Sequence, residues 1–212
     1  MKLIGILGGT FNPIHFGHLR IAQEIAQALN LSQVKFIPSA NPPHKAAPLV
    51  SAQQRAEMVQ LAIQDNPLFS LDSRELARTG PSYTIDTLQS LSDDYPDVAF
   101  CLIIGTDAFA HFDQWHEWQS ILSYCHLILV PRPNYNNAPR NQILANLLKQ
   151  HSTNVKTHLQ LKRNGCIIQQ SVTALEISSS QIRAAIAQDN SPLYLTPNSV
   201  LGYIRHHGLY QV

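Results

Sequence analysis

The chain has 212 residues, 44% of them hydrophobic and 14% charged, which is enough to bury one sizeable core and too short to require two, so a single domain over residues 1–212 is expected. Fifteen Lys and Arg stand against fourteen Asp and Glu, a formal net charge of +1, which excludes a whole-molecule field for a nucleic acid or an anionic membrane. Any anionic ligand must therefore be met by a local site, and no run approaches the roughly 18 consecutive apolar residues of a membrane span.

In chain order, Lys2 to Leu7 is a buried-strand pattern, and MKLIGILGG lacks the cleavage site of a leader. After a loop with Pro13, the segment from Gly17 to Leu29 carries Leu19, Ala22, Ile25, Ala26 and Leu29 at helical spacing. Val34 to Ile37 reads as a second strand, SANPPHKAAP as an irregular loop, and Ser51 to Ile63 as a helix with Ser51 as N-cap. A short strand from Phe69 to Leu71, a helix from about Tyr83 to Leu91 and the apolar strand VAFCLIIG follow.

That strand leads into TDAFAHFDQWHEW, where the polar neighbours Asp113, Gln114, His116 and Glu117 argue for a partly exposed loop around Trp115; SILSYCHLILVPRP reads as a helix end and another buried strand, and Asn134 to Arg140 as a polar loop. The last third is expected to hold a helix over Asn141 to Lys149, two short strands, a helix opened by the serines of EISSSQIRAAIAQ, and a final helix from about Pro197 to His206 stopped by Gly208. Strands alternating with helices predict an α/β fold, an open Rossmann-like parallel sheet with helices on both faces, residues from about 177 to 212 forming a helical subregion. Cys101, Cys125 and Cys166 are odd in number, widely spaced and never in a C-x-x-C pair, the usage of reduced, buried thiols in a cytoplasmic protein.

The most informative stretch is GGTFNPIHFGHL. Gly8 and Gly9 follow a strand directly, so the chain can turn tightly and let a ligand approach the backbone. His15 and His18, three residues apart at the start of a helix, share one face beside unsatisfied N–H groups and the positive end of the helix dipole, which makes a phosphate-sized anion site. Zinc would need a third and fourth ligand, and no nearby H-E-x-x-H or Cys pair supplies them. The dinucleotide-binding G-x-G-x-x-G and the P-loop are both absent. Far along the chain, ISSSQIR offers the hydroxyls of Ser178, Ser179 and Ser180 at a helix start, with Arg183 able to fork onto phosphate oxygens.

GGTFNPIHFGHL and ISSSQIR together resemble the two signature motifs of the nucleotidyltransferase α/β superfamily, whose histidine pair contacts the phosphates of a nucleoside triphosphate. The resemblance implies an ATP site lined by Gly8, Gly9, Thr10, Phe11, His15, His18, Ser178, Ser179, Ser180, Ile182 and Arg183. SANPPHK, SYTIDTL, IIGTDAF and FDQWHEW, in this order, resemble nicotinate-nucleotide adenylyltransferases and extend the likeness over nearly the whole chain. That family implies that Gly105 and Asp107 cradle the adenosine, and that His44, Lys45, Thr84, Trp115 and Arg132 serve nicotinate mononucleotide, with Trp115 stacking on the pyridine ring and Trp118 left to packing. It further implies that His15, His18, Lys45 and Arg183 stabilise the transition state, His18 foremost, and that Mg²⁺ arrives on ATP with no protein side chain as ligand.

The expected reaction is transfer of the adenylyl group of ATP to nicotinate mononucleotide, giving deamido-NAD and pyrophosphate. The same chemistry on nicotinamide mononucleotide, phosphopantetheine or a flavin mononucleotide is the nearest alternative, and Thr106, His116 and the stretch Ser179 to Gln181 depart from the family's usual residues. A regulator that binds nucleotide without turnover is disfavoured by the joint presence of both histidines, Lys45 and Arg183, and an RNA-binding module by 8% aromatic residues and near-neutral charge. A homo-oligomer stays open.

Overall fold

A computed structural model describes residues 1–42, 50–132 and 138–211. Six strands, β1 (Lys2–Gly9), β2 (Gln33–Pro38), β3 (Phe69–Leu71), β4 (Val98–Gly105), β5 (His126–Val130) and β6 (Ile167–Gln169), form one parallel sheet in the order β3-β2-β1-β4-β5-β6, flanked by helices. The run Leu3 to Leu7, the run Ala99 to Ile104 and all of β5 are buried at every position. Continuous burial is what a parallel strand covered on both faces requires, and it is why these runs read as unbroken apolar stretches. The register pairs Ile4 with Phe100, Leu102 with Leu127 and Leu127 with Ile167.

The chain forms two compact units, one of Met1–Leu7, Glu24–Val34 and Tyr83–Val172, the other of Gly8–Gln23, Lys35–Ser82 and Thr173–Val212. In the first, Ile4, Ile25, Leu88, Leu91, Phe100, Ile103, Phe112 and Ile128 are buried. Its three cysteines are buried thiols, and burial pushes the Cys101 thiol up to about 12, so it stays protonated and inert near neutrality. In the second unit, Phe11, Ile14, Phe36, Met58, Val59, Ile182, Val200 and Ile204 make the core.

Helix starts follow their sequence signals. Helix α2 (Ala52–Ile63; α1 is Phe16–Ala28) is capped by Ser51, whose Oγ accepts from the Gln54 N–H while the Gln54 side chain accepts from the Ser51 N–H, each at 3.2 Å. This reciprocal box stabilises the first turn by about 1 kcal/mol. Downstream lie α3 (Thr84–Asp94), α4 (Thr106–Phe109), α5 (Trp118–Ile121), α6 (Gln142–His151), α7 (His158–Leu161), α8 (Ser179–Ala187) and α9 (Asn198–His206).

One expectation needs correcting. Between α6 and α8 two short strands were expected, whereas the structure has α7, the strand β6 and an isolated bridge from Ser152 to Ile167. In residues 153–165, before β6, Val155 is 48% and Leu161 76% exposed and only Leu159 is buried, so that stretch has too little apolar surface facing inward to gain from strand pairing, whereas Ile167 and Ile168 are buried in β6. Among the described residues, no helix is long and apolar enough to cross a membrane.

Candidate active site

Gly8 and Gly9, expected to make a tight turn after the strand, are instead the last two residues of β1, in extended backbone; the turn starts at Thr10, in the second unit. Phe11 bends the chain with φ of +46°, a cost that its buried ring offsets by packing near Phe36 and edge-on to His18, at a centroid distance of 5.1 Å. The side chain of Phe11 is therefore a packing element under the turn. His15, 6% exposed, immediately precedes α1, and the half-buried His18 lies in its first turn. Their rings stack at 3.7 Å with 28° between planes. The backbone N–H of His15 donates to Nδ1 of His18 at 3.3 Å, so the neutral His18 ring carries its proton on Nε2. Gly17 makes the stack possible, since a Cβ there would come within 3.0 Å of the His15 ring.

The serine-led segment meets this turn across the chain. Arg183 donates through Nη1 to the carbonyl of Asn12 at 2.7 Å, over a separation of 171 residues, and through Nη2 to Ser180 Oγ at 3.3 Å. Ser179 Oγ donates to the carbonyl of Pro13 at 2.8 Å. Ser178 caps α8 in a second reciprocal box with Gln181, so its hydroxyl is engaged in helix initiation, and Ile182 is fully buried beneath. The imidazole pair and the guanidinium thus belong to one neighbourhood, as their motifs lead one to expect.

Three more side chains secure the same turn, and the sequence reading did not single them out. Thr196 Oγ1 donates to the carbonyl of Ile14 at 2.7 Å, and the Tyr210 hydroxyl donates to Asn12 Oδ1 at 2.7 Å. Burial drives the Tyr210 phenol upward, partly countered by Arg183 and Arg55 nearby. Arg55, 1% exposed on α2, donates to the carbonyls of Thr10 at 2.5 Å, Ser39 at 2.7 Å and Ala40 at 3.3 Å. A signal for Arg55 existed: it lies three and four residues before the buried Met58 and Val59, on the face of α2 that goes inside. Tyr210 gave none.

The remaining predicted residues lie in the first unit or outside the described residues. Gly105 ends β4, and Asp107 pairs through Oδ1 with Arg132 Nε at 2.9 Å, while Thr106 Oγ1 accepts from the Arg132 N–H at 3.3 Å. A Cβ at Gly105 would sit 2.3 Å from that carboxylate oxygen and 3.2 Å from Arg132 Nε. The Arg132 side chain is 63% exposed, so the pair contributes little to stability. Trp115 follows a 3₁₀ turn (Phe112–Gln114), is half-buried and tilts against Phe112 at 5.3 Å; Trp118 opens α5 and meets the same ring edge-on at 6.1 Å. Thr84 begins α3, whose N-cap residue Tyr83 makes no side-chain capping bond and stacks on His116 at 4.2 Å. His44 and Lys45 lie outside the described residues. Among the described residues, no group of three or more His, Cys, Asp and Glu side chains could hold a metal.

Residues 6–185 match the model of the family described as Cytidylyltransferase-like. A parallel α/β sheet whose first strand ends in Gly8 and Gly9, a stacked histidine pair after the turn that follows, and an arginine from a late serine-led helix define a nucleotidyltransferase. Two proteins named "Probable nicotinate-nucleotide adenylyltransferase" are similar over almost their full lengths. That of Psychromonas ingrahamii is 49% identical over 99% of this chain and 98% of its own, and that of Acidithiobacillus ferrooxidans is 45% identical over 97% and 94%. The fold is shared with Plasmodium falciparum nicotinic acid mononucleotide adenylyltransferase complexed with NaAD, at a TM-score of 0.75 and 18% identity over 99% of this chain and 98% of that one. The chain belongs to the nicotinate-nucleotide adenylyltransferase family.

Proposed function

We propose that the protein transfers the adenylyl group of ATP to nicotinate mononucleotide, forming deamido-NAD and pyrophosphate as a step of NAD biosynthesis in the cytoplasm. The observation that carries this reading is the hold of Arg183 on the same turn that bears the stacked His15 and His18. Relatives at 49% and 45% identity carry the corresponding name.

In the reaction, an oxygen of the mononucleotide 5′-phosphate attacks the α-phosphorus of ATP in line. One P–O bond forms, the bond to the β-phosphate bridging oxygen breaks, and pyrophosphate leaves with the electron pair. The attacking phosphate is already anionic, so no general base is required and no covalent enzyme intermediate arises. Catalysis comes from positioning and from donors fixed in advance where charge develops. His18 donates from Nε2, its tautomer set by the His15 N–H, and Arg183 supplies a guanidinium beside the turn, with Gly8, Gly9, Thr10 and the α8 serines around the phosphates. Lys45 and His44 act from the loop after β2 on the acceptor side.

Mg²⁺ suits this donor set as a companion of ATP, held by phosphate oxygens and water. Imidazoles, hydroxyls and a guanidinium offer a triphosphate donors and positive charge but give a hard cation no carboxylate cage. When bound, the ion neutralises part of the triphosphate charge. On the acceptor, Trp115 stacks on the pyridine and Thr84, at a helix start without a side-chain cap, offers N–H donors to the nicotinate carboxylate. Asp107 faces the adenosine, while Arg132, its ion-pair partner, serves the mononucleotide.

The test is pyrophosphate release by the purified protein with ATP, Mg²⁺ and, in parallel, nicotinate mononucleotide, nicotinamide mononucleotide, phosphopantetheine or flavin mononucleotide. The reading requires the highest kcat/KM with nicotinate mononucleotide. A higher value with any other acceptor reassigns the substrate, and no release with all four rejects catalysis.

A further inference from the structure

Two consecutive peptide groups at the end of β2 are gripped from opposite edges. Arg55 reaches their oxygen edges, donating through Nη2 to the carbonyls of Ser39 at 2.7 Å and Ala40 at 3.3 Å. The opposite edges belong to Ser82, whose Oγ accepts the N–H of Ala40 at 3.1 Å and of Asn41 at 3.2 Å. The Ser82 backbone N–H donates to the Asn41 carbonyl at 2.9 Å, and the Asn41 side chain donates to the carbonyl of Gly80 at 3.0 Å. The other arm of the Arg55 guanidinium holds the carbonyl of Thr10 in the turn after β1, and Ser39 donates its N–H to the carbonyl of Gly9, the last residue of β1, at 2.9 Å.

We propose that Arg55 and Ser82 are positioning residues for the reaction: a clamp that fixes the exit of β2 at a set distance from the phosphate-binding turn, with Ser82 leading directly into the Thr84 segment proposed for the acceptor. Three features support this over an ordinary core contact. Arg55 is a guanidinium 1% exposed whose described partners are backbone carbonyls, in which every hydrogen bond orients main chain. Burial lowers its pKa from the ordinary value, a penalty a purely packing residue would not carry. Ser82 fixes the same two peptide groups and lies two residues before Thr84, so its backbone ties the exit of β2 to the start of the SYTIDTL segment. A planar, forked cation can hold two separated strands of backbone at once, which a lysine's point charge cannot.

The clamp rests on the reaction proposed above, so its test uses ATP and nicotinate mononucleotide, each varied at saturating levels of the other. Ser82→Ala leaves two N–H groups to water and frees the exit of β2; KM for nicotinate mononucleotide rises about ten-fold, while KM for ATP stays within about two-fold, from the loss of two hydrogen bonds. Ser82→Thr keeps the hydroxyl and restores the wild-type value. Arg55→Lys touches both arms and raises both KM values while lowering kcat. Ser82→Ala with unchanged or equally raised KM values, or no rescue by threonine, overturns the clamp, and these serine variants decide the matter even where Arg55→Lys fails to fold. Amide hydrogen exchange at Ala40 and Asn41 in the ligand-free protein reads the clamp without turnover. Ser82→Ala speeds it several-fold, and unchanged exchange overturns the clamp whether or not the wild-type protein makes deamido-NAD.

Discussion

Replacing His18 with alanine separates catalysis from packing at the phosphate turn. The change removes an Nε2 donor, and loss of one such preorganised donor typically costs ~2.7–4 kcal/mol, or about a hundred- to a thousandfold in kcat. It also removes the stack on His15 at 3.7 Å and the edge contact with Phe11 at 5.1 Å, and it strips the His15 N–H of its acceptor. The packing loss is about 0.5–1.5 kcal/mol for each aromatic contact. The melting temperature should then fall by roughly 2–4 °C per kcal/mol lost, leaving a folded protein at 25 °C. The assay is kcat with both substrates saturating, beside a thermal melt. His18→Asn sharpens it: the asparagine oxygen can take the place of Nδ1 as acceptor for the His15 N–H, but nothing reaches the position of Nε2. The asparagine variant should regain part of the melting temperature and none of the turnover. A folded alanine variant with kcat within a few-fold of wild type, or an asparagine variant that turns over normally, refutes the assignment.

Trp115→Ala should raise KM for nicotinate mononucleotide more than KM for ATP, since only the pyridine end loses a stacking face; equal changes in both reject the stacking role. Gly105→Ala places a Cβ 2.3 Å from Asp107 Oδ1 and should break the Asp107–Arg132 pair, raising KM for ATP with little change in melting temperature; an unchanged KM removes Asp107 from the adenosine site. His126, fully buried, donates from Nε2 to the Lys162 carbonyl and accepts the Cys166 N–H at Nδ1, both at 3.1 Å, and burial lowers its pKa below the ordinary 6.5. The unfolded chain therefore takes up this proton first: stability is full above about pH 6.5 and falls as pH drops toward the native value, by up to about 1.4 kcal/mol per pH unit. Denaturant titrations at pH 7.5 and 5.5 should show a smaller loss for His126→Gln than for wild type, and an equal loss denies the histidine that role.

Much of the fold was legible because its elements are marked by local chemistry. β1, β4 and β5 are apolar at nearly every position since a parallel strand inside such a sheet has no solvent face. Ser51 with Gln54 and Ser178 with Gln181 announce helix starts three residues apart, and both pairs form the reciprocal caps that spacing allows. Between α6 and β6 the sequence misled, because residues 153–165, with one buried leucine among exposed neighbours, carry no decisive period. Of the site, the mutual approach of GGTFNPIHFGHL and ISSSQIR, through Asn12 and Arg183, was legible from the resemblance of both to one pair of motifs.

What stayed hidden is how the turn is held, and the reason is physical. The carbonyls of Thr10, Asn12, Pro13 and Ile14 are taken by Arg55, Arg183, Ser179 and Thr196, four side chains from three separate parts of the sequence, Ser179 and Arg183 sharing α8. Every residue carries a carbonyl, so an acceptor of this kind leaves no mark on the residue that supplies it; only the donors could have been noticed, and a lone arginine or threonine on an amphipathic segment looks like any other. The consequence is nonetheless specific. In a trans peptide group the N–H points away from the carbonyl, so holding the Thr10 and Pro13 oxygens directs the N–H groups of Phe11 and Ile14 the other way. The N–H of the peptide group whose oxygen Thr196 holds belongs to His15 and is spent on His18 Nδ1, where it fixes the tautomer of that ring. Pro13 has no N–H, so the bond from Arg183 to the Asn12 carbonyl bends no donor toward an anion; it fastens the guanidinium itself beside the turn that carries the histidines, which is where the proposed reaction needs a fixed positive charge.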